Sequence, residues 1–131
     1  MKKSVFLILA FSLFLLSACS KNPQAFEEFY KDANIETIDK VILQDGSTGA
    51  TKTITEQAQI DEFLTLTKDI QFTKQDNQEQ RSGWRYGISL FDGEENFKFT
   101  LSEIDNTYYD TSPDIYPIVD TYYKHLDIEE E

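Results

Sequence analysis

The fold of this chain is decided by residues 84–101, which read WRYGISLFDGEENFKFTL. Apolar and polar side chains alternate on both sides of the Asp-Gly-Glu-Glu turn at residues 92–95. Alternation with a period of two is typical of a β-strand that buries one face, and a glycine-containing turn between two such runs predicts a hairpin. The face expected to point inward carries Trp84, Tyr86, Ile88, Leu90, Phe97, Phe99 and Leu101.

Shorter signals predict further strands around this hairpin. Residues 36–44 and 51–55 are rich in β-branched side chains and flank a glycine-containing turn, so they predict a second hairpin. Residues 70–73 and 104–110 predict two more strands. Residues 74–82 contain no apolar side chain and predict a loop.

Three segments have the spacing of helices. Residues 26–33 repeat apolar side chains at i, i+3, i+4 and i+7, which predicts a short helix. Residues 56–68 predict a second helix, with Thr55 as its N-cap. The C-terminal helix has the strongest pattern, and Pro117 predicts a tight turn at 112–115 with regular helix from about residue 117. Its apolar stripe is Ile115, Ile118, Val119, Tyr122, Tyr123 and Leu126.

These elements predict an α+β fold. We expect an antiparallel sheet of about five to six strands, with the internal helix and the C-terminal helix packed on one face. The acidic residues 127–131 predict a frayed tail.

The amino terminus predicts a lipoprotein signal peptide. Lys2 and Lys3 precede an apolar run of about a dozen residues, which is shorter than the roughly 20 residues of a membrane-spanning helix. The run ends in Leu16-Ser17-Ala18-Cys19, which resembles the lipobox of bacterial lipoproteins. The alternatives are an uncleaved membrane helix and a conventional signal peptide whose cysteine lies there by chance. The resemblance implies removal of residues 1–18 and lipid attachment (S-diacylglycerol and N-acyl) at Cys19. Residues 19–34 would then form a tether with a short helix, and residues 35–131 a single domain.

Charge and cysteine content limit the possible functions. Cys19 is the only cysteine, so no disulfide or further thiol is available. Without Lys2 and Lys3, the chain has ten basic and 24 acidic residues, which gives a formal net charge of −14. This charge disfavours nucleic acid and anionic lipid, and it favours a cationic peptide, a basic protein face or divalent cations. The alternative is that the charge only keeps the domain soluble.

Few residues carry recognisable chemistry. His125 is the only histidine, and we expect it on the surface. Asp92, Glu94 and Glu95 share a hairpin tip that could bind a hard cation, although a solvated acidic turn is the preferred interpretation. No phosphate loop or dinucleotide motif is present, so we predict no catalytic residue, no metal site and no cofactor. A pair of carboxylates brought together by the fold remains open.

Aromatic and arginine side chains predict a partner-binding surface. Most aromatic residues in so small a domain must pack in its core, but exposed Tyr and Trp beside Arg are typical of protein interfaces. The candidates are Arg81, Trp84, Arg85, Tyr108 and Tyr109.

The whole pattern is similar to a group of small Bacillus lipoproteins, the YhfM type. The similarity rests on the lipobox, the hairpin ending at Ile54-Thr55, the helix around residues 60–64, and the two strands at 86–90 and 97–101. It implies a Gram-positive cell membrane and a domain that faces outward, and it carries no catalytic residues. We therefore expect a non-enzymatic binding or accessory domain that contacts an extracellular protein or cationic peptide; the alternative is a small cell-envelope hydrolase that uses carboxylates.

Overall fold

The computed structural model describes residues 22–81 and 83–131, so the predicted signal peptide and Cys19 lie outside the described residues. It confirms the α+β class, with helices and antiparallel strands alternating along the chain. The helices are α1 (Phe26–Asp32), α2 (Gln57–Thr67) and α3 (Ile115–His125). The strands are β1 (Gln24–Ala25), β2 (Lys40–Asp45), β3 (Thr51–Ile54), β4 (Gln71–Lys74), β5 (Tyr86–Asp92), β6 (Glu95–Thr100), β7 (Glu103–Ile104) and β8 (Thr107–Ser112).

The strands form two four-stranded antiparallel sheets instead of the single sheet of five to six strands expected from the sequence. Sheet I has the order β3-β2-β5-β6, and sheet II has the order β1-β4-β8-β7. The chain crosses between the sheets more than once, and the shortest of these crossings is Leu101-Ser102, between β6 and β7. There the carbonyl of Ser102 accepts a hydrogen bond from the Tyr109 N–H, at 2.8 Å. The division follows from the pairing of β4 with β8, which are distant in sequence, so sequence patterns do not reveal it.

The predicted central hairpin is β5–β6 of sheet I. Leu90 pairs with Phe97 and Ile88 with Phe99, and all four side chains are buried. Trp84 does not share their environment: it precedes the strand and is 43% exposed, so its assignment to the core face was wrong.

Two predicted strands have different bounds in the structure. Strand β2 begins at Lys40, because the N–H groups of Glu36 and Thr37 donate to the Asp92 carboxylate instead of a neighbouring strand. The predicted strand 104–110 is divided by a turn at Asp105 and Asn106, which both have positive φ. Asp and Asn tolerate this conformation better than most residues, so β7 and β8 form a tight hairpin there.

All three predicted helices are present, but two begin differently. Glu56 is the N-cap of α2 and makes no side-chain cap hydrogen bond, so the prediction of Thr55 as the cap was wrong. Helix α3 begins at Ile115, where the Asp114 carboxylate accepts a hydrogen bond from the Tyr116 N–H. Pro117 therefore lies in the first turn, where a missing N–H breaks no helical hydrogen bond.

The far end of α3 is held by a buried lysine. Lys52 lies on β3 on the same face as Ile54, and its ammonium donates to the carbonyls of Tyr123 and Leu126 at 2.7 and 2.8 Å. The segment that follows does not fray as expected, because Glu131 and Thr51 exchange two backbone hydrogen bonds at the edge of sheet I.

Candidate binding groove

A groove of about 690 Å³ lies at the Leu101-Ser102 crossing between β6 of sheet I and β7 of sheet II. We call it the Trp84 groove. Its walls come from Trp84 and Arg85 before β5, from residues 100–102 at the end of β6, from residues 109–111 of β8, and from the start of α3. Segments distant in sequence thus meet in one concavity, as in many ligand sites.

Trp84 is fixed at this groove by two glycines. A Cβ atom on Gly46 would lie 2.7 Å from Cε3 of the indole and 2.0 Å from the Trp84 carbonyl oxygen, so only glycine permits this approach. The indole also lies across Gly87, where a Cβ atom would be in ordinary contact at 3.5 Å. The Gly46 N–H donates to the carbonyl of Arg85 at 2.7 Å. A large aromatic side chain is therefore held in place while 43% of it remains exposed.

Arg85 and Tyr116 form the neighbouring wall. The Arg85 guanidinium donates to the Tyr116 hydroxyl at 2.6 Å and lies 4.9 Å from the centre of its ring. On the same side of α3, the Tyr86 hydroxyl donates to Asp120 at 2.6 Å and Lys124 donates to Asp120 at 2.9 Å. These bonds lower the pKa of the Asp120 carboxyl, with smaller contributions from the charges of Lys124 and Arg85. The wall is thus pre-organised by charged hydrogen bonds.

Two carboxylates also line the groove. Asp110 accepts a hydrogen bond from Gln75, and Asp114 accepts the capping hydrogen bond from the start of α3. Both side chains are exposed to solvent. They add negative charge to the lining of the groove, close in sequence to the aromatic residues Tyr109 and Tyr116.

The structure brings together three of the five residues predicted for partner binding. Trp84, Arg85 and Tyr109 line the groove. Tyr108 is buried, and its hydroxyl accepts a hydrogen bond from the Arg81 N–H at 2.8 Å. The Arg81 guanidinium packs over the Tyr108 ring at 4.6 Å, so these two residues serve to hold the 75–81 loop.

Sequence reasoning missed Tyr116, Asp110 and Asp114 as groove residues. Tyr116 had a signal, because it is an aromatic residue outside the apolar stripe of α3. The two aspartates had none, because acidic residues are abundant along the chain.

The other sequence candidates lie outside the Trp84 groove. His125 is exposed, and its Nδ1 lies 2.9 Å from the Thr121 carbonyl, one helical turn back. Asp92 at the hairpin tip already accepts two backbone N–H bonds, which lower the pKa of its carboxyl. Within residues 22–81 and 83–131, no three histidine, aspartate or glutamate side chains are grouped to hold a metal ion. Over the same residues, no helix has the length and apolar character needed to cross a membrane.

No family model, curated protein or solved structure matches this chain. The groove must therefore be interpreted from its own geometry.

Proposed function

We propose that this chain is a lipid-anchored binding domain on the outer face of a bacterial cell membrane. It would hold a basic segment of another extracytoplasmic protein in the Trp84 groove, without catalytic activity of its own. The observation that carries the proposal is the exposed Trp84, fixed on two glycines at the mouth of the groove. A rigid, half-exposed tryptophan loses little conformational entropy on binding, and tryptophan is prominent among interface hot spots.

Charge supports a basic partner. Asp110 and Asp114 lie on the groove, and the formal charge of residues 19–131 is −14. The groove's own cation, Arg85, is already bonded to Tyr116. A lysine or arginine side chain of the partner could therefore stack on the Trp84 indole and reach a carboxylate.

The second candidate is a carboxylate-dependent hydrolase of the cell envelope, because Asp110 and Asp114 share the groove. A general acid of this type needs a carboxyl kept protonated by burial or by a close second charge. The exposure of both aspartates favours binding instead. Release of reducing sugar ends from purified cell-wall polymers by the full chain, lost in Asp114→Asn, would establish the hydrolase and overturn the binding proposal.

Site-directed photocrosslinking on intact cells tests the binding function. A photoreactive amino acid replaces Ser102, an exposed residue on the groove wall, in the full-length chain. We expect one discrete protein adduct, whose crosslinked peptide contains Lys or Arg. Trp84→Ala should reduce its yield at least about tenfold, as for a hot-spot residue.

The matched control places the photoreactive group at Glu28, which is exposed on α1 and outside the groove. Equal adducts from positions 28 and 102, or an adduct unchanged by Trp84→Ala, would contradict the proposal.

A further inference from the structure

A second groove, of about 610 Å³, lies between α2 and α3 and shares no residue with the Trp84 groove. The two helices meet beneath it through Phe63 and Tyr122, whose ring centres are 5.4 Å apart. The Tyr122 hydroxyl donates to the Gln59 carbonyl at 2.9 Å, which fixes the floor. We call this concavity the α2–α3 groove.

Its walls expose apolar side chains. Leu66 on α2 is 44% exposed and faces the half-buried Ile118 and the exposed Pro117 on α3. One exposed leucine is ordinary on a protein surface, but an apolar group that lines a concave surface is typical of an interaction site.

Two acidic residues line the α2–α3 groove. Glu62 lies on α2 and Asp127 lies just after α3, while none of the described residues that line the groove is Lys or Arg. The charge of Glu62 also affects Tyr122 on the floor of the groove. Burial is the main cause that raises the pKa of the Tyr122 hydroxyl to about 12, and the Glu62 carboxylate adds to this effect. An apolar surface bounded by negative charge complements an apolar surface bounded by positive charge.

We infer that the α2–α3 groove docks a basic amphipathic helix of a protein partner. The lining residues extend from Gln59 to Leu66 on α2 and from Pro117 to His125 on α3, roughly 11 Å along each helix axis or two turns. A helix laid in the groove would place apolar side chains against Leu66 and Ile118 and its Lys or Arg against Glu62 and Asp127. The same charges oppose a second copy of this acidic chain and an anionic lipid surface.

A peptide titration tests the inference, which does not depend on the Trp84 groove. The full-length chain is held in nanodiscs of zwitterionic lipid, with empty nanodiscs subtracted. The probe is a fluorescein-labelled amphipathic helix of leucine and lysine, about 18 residues or five turns long. The comparison peptides have glutamate in place of lysine, or the same composition in a non-amphipathic order.

We expect the lysine helix to bind more tightly than both comparison peptides. Leu66→Ser and Glu62→Lys should each weaken it about tenfold, because one removes an apolar anchor and the other reverses a rim charge. Glu28→Lys is the matched control outside both grooves, and it should leave binding within about twofold. Both test positions are exposed, so folding can be verified by circular dichroism before titration.

Three results would overturn the inference. The first is equal binding of the lysine helix to the wild-type chain and to both groove variants. The second is Leu66-dependent dimerisation in sedimentation, which would assign the groove to a second copy. The third is Leu66-dependent binding to phosphatidylglycerol vesicles, which would assign it to a lipid surface.

Discussion

At the scale of single residues, the position of Trp84 depends on Gly46. The φ angle of Gly46 lies outside the left-handed region, so alanine there changes only the contact with Trp84. We expect Gly46→Ala to displace the 84–85 segment and to lower the free energy of unfolding by about 1–3 kcal/mol, the usual cost of overpacking. Trp84 is the only tryptophan, so its emission maximum should shift to longer wavelength as the indole leaves its position.

Gly49→Ala is the control for this prediction. Gly49 lies in the same turn with φ of 79°, and no atom lies within 4 Å of where its Cβ would be. Its substitution should cost about 1–2 kcal/mol through backbone strain but leave the emission of Trp84 unchanged. Equal emission shifts in the two variants would show that the glycine contact does not hold the indole.

Asp120 gives a pH-dependent prediction. Its pKa is lowered in the folded chain by the hydrogen bonds from Tyr86 and Lys124. Its contribution to stability is therefore present above its unfolded-state pKa of about 4, and is lost as pH falls through the lower folded value. Asp120→Asn should lower the free energy of unfolding by about 1–2 kcal/mol at neutral pH.

Urea denaturation from pH 7 down to pH 2 measures this effect. The difference between wild type and Asp120→Asn should shrink as the wild-type carboxylate becomes protonated. Tyr86→Phe removes the first hydrogen bond directly and should show the same trend. A difference that stays constant over this range would refute the assignment of the stability to the charged form of Asp120.

At the scale of elements, the C-terminal end of α3 depends on Lys52. The lysine is buried and satisfies two carbonyls of the last turn, where a cation also interacts well with the helix dipole. Lys52→Met keeps the apolar length but removes the ammonium donor from both carbonyls. They then keep only backbone donors, the Leu126 N–H to Tyr123 at 3.3 Å and the Ile128 N–H to Leu126 at 2.9 Å. We expect a loss of about 2–3 kcal/mol in the free energy of unfolding, measured by urea denaturation. Lys98→Met on the exposed face of β6 is the matched control and should stay within about 0.5 kcal/mol of wild type.

The helices and strands show which features of the fold can be predicted from sequence patterns and which cannot. The alternation in residues 86–101 predicted a hairpin because every inward position there is filled by an apolar side chain. The alternation in β3 also places Lys52 on the inward face with Ile54, so a buried lysine was implied by the pattern and could have been found. The hydrogen-bond partners of Lys52 could not have been predicted, because they are backbone carbonyls more than 70 positions away along the chain.

Trp84 shows why the site was harder to predict than the fold. Continuing the alternation backward from Tyr86 placed it in the core, whereas contacts with Gly46 and Gly87 hold it at the surface. Those contacts join a turn to a strand and leave no periodic signal. The division into two sheets was missed for a similar reason, since it depends on the pairing of β4 with β8, whose paired residues lie at least 35 positions apart along the chain.

At the scale of the whole molecule, the proposed anchor would hold both grooves within a short distance of the membrane. Gln24, at the start of β1, lies five positions after Cys19, a reach of at most about 17 Å. A lipid on Cys19 would therefore keep the domain next to the membrane surface. Partners bound in either groove would be held there too, with a higher effective concentration for one another.

The anchor itself can be tested on the whole chain. A formal charge of −14 opposes association of the domain with anionic lipid, so membrane retention should require the lipid on Cys19. We expect Cys19→Ala to move the chain from the membrane fraction into the medium, or to leave it as an uncleaved precursor, with no acylated mature form. Labelling with a clickable palmitate analogue, followed by fractionation, separates these forms. A processed, acylated Cys19→Ala chain that still sediments with membranes would show that another residue carries the lipid, and the short tether inferred from Cys19 would then be wrong.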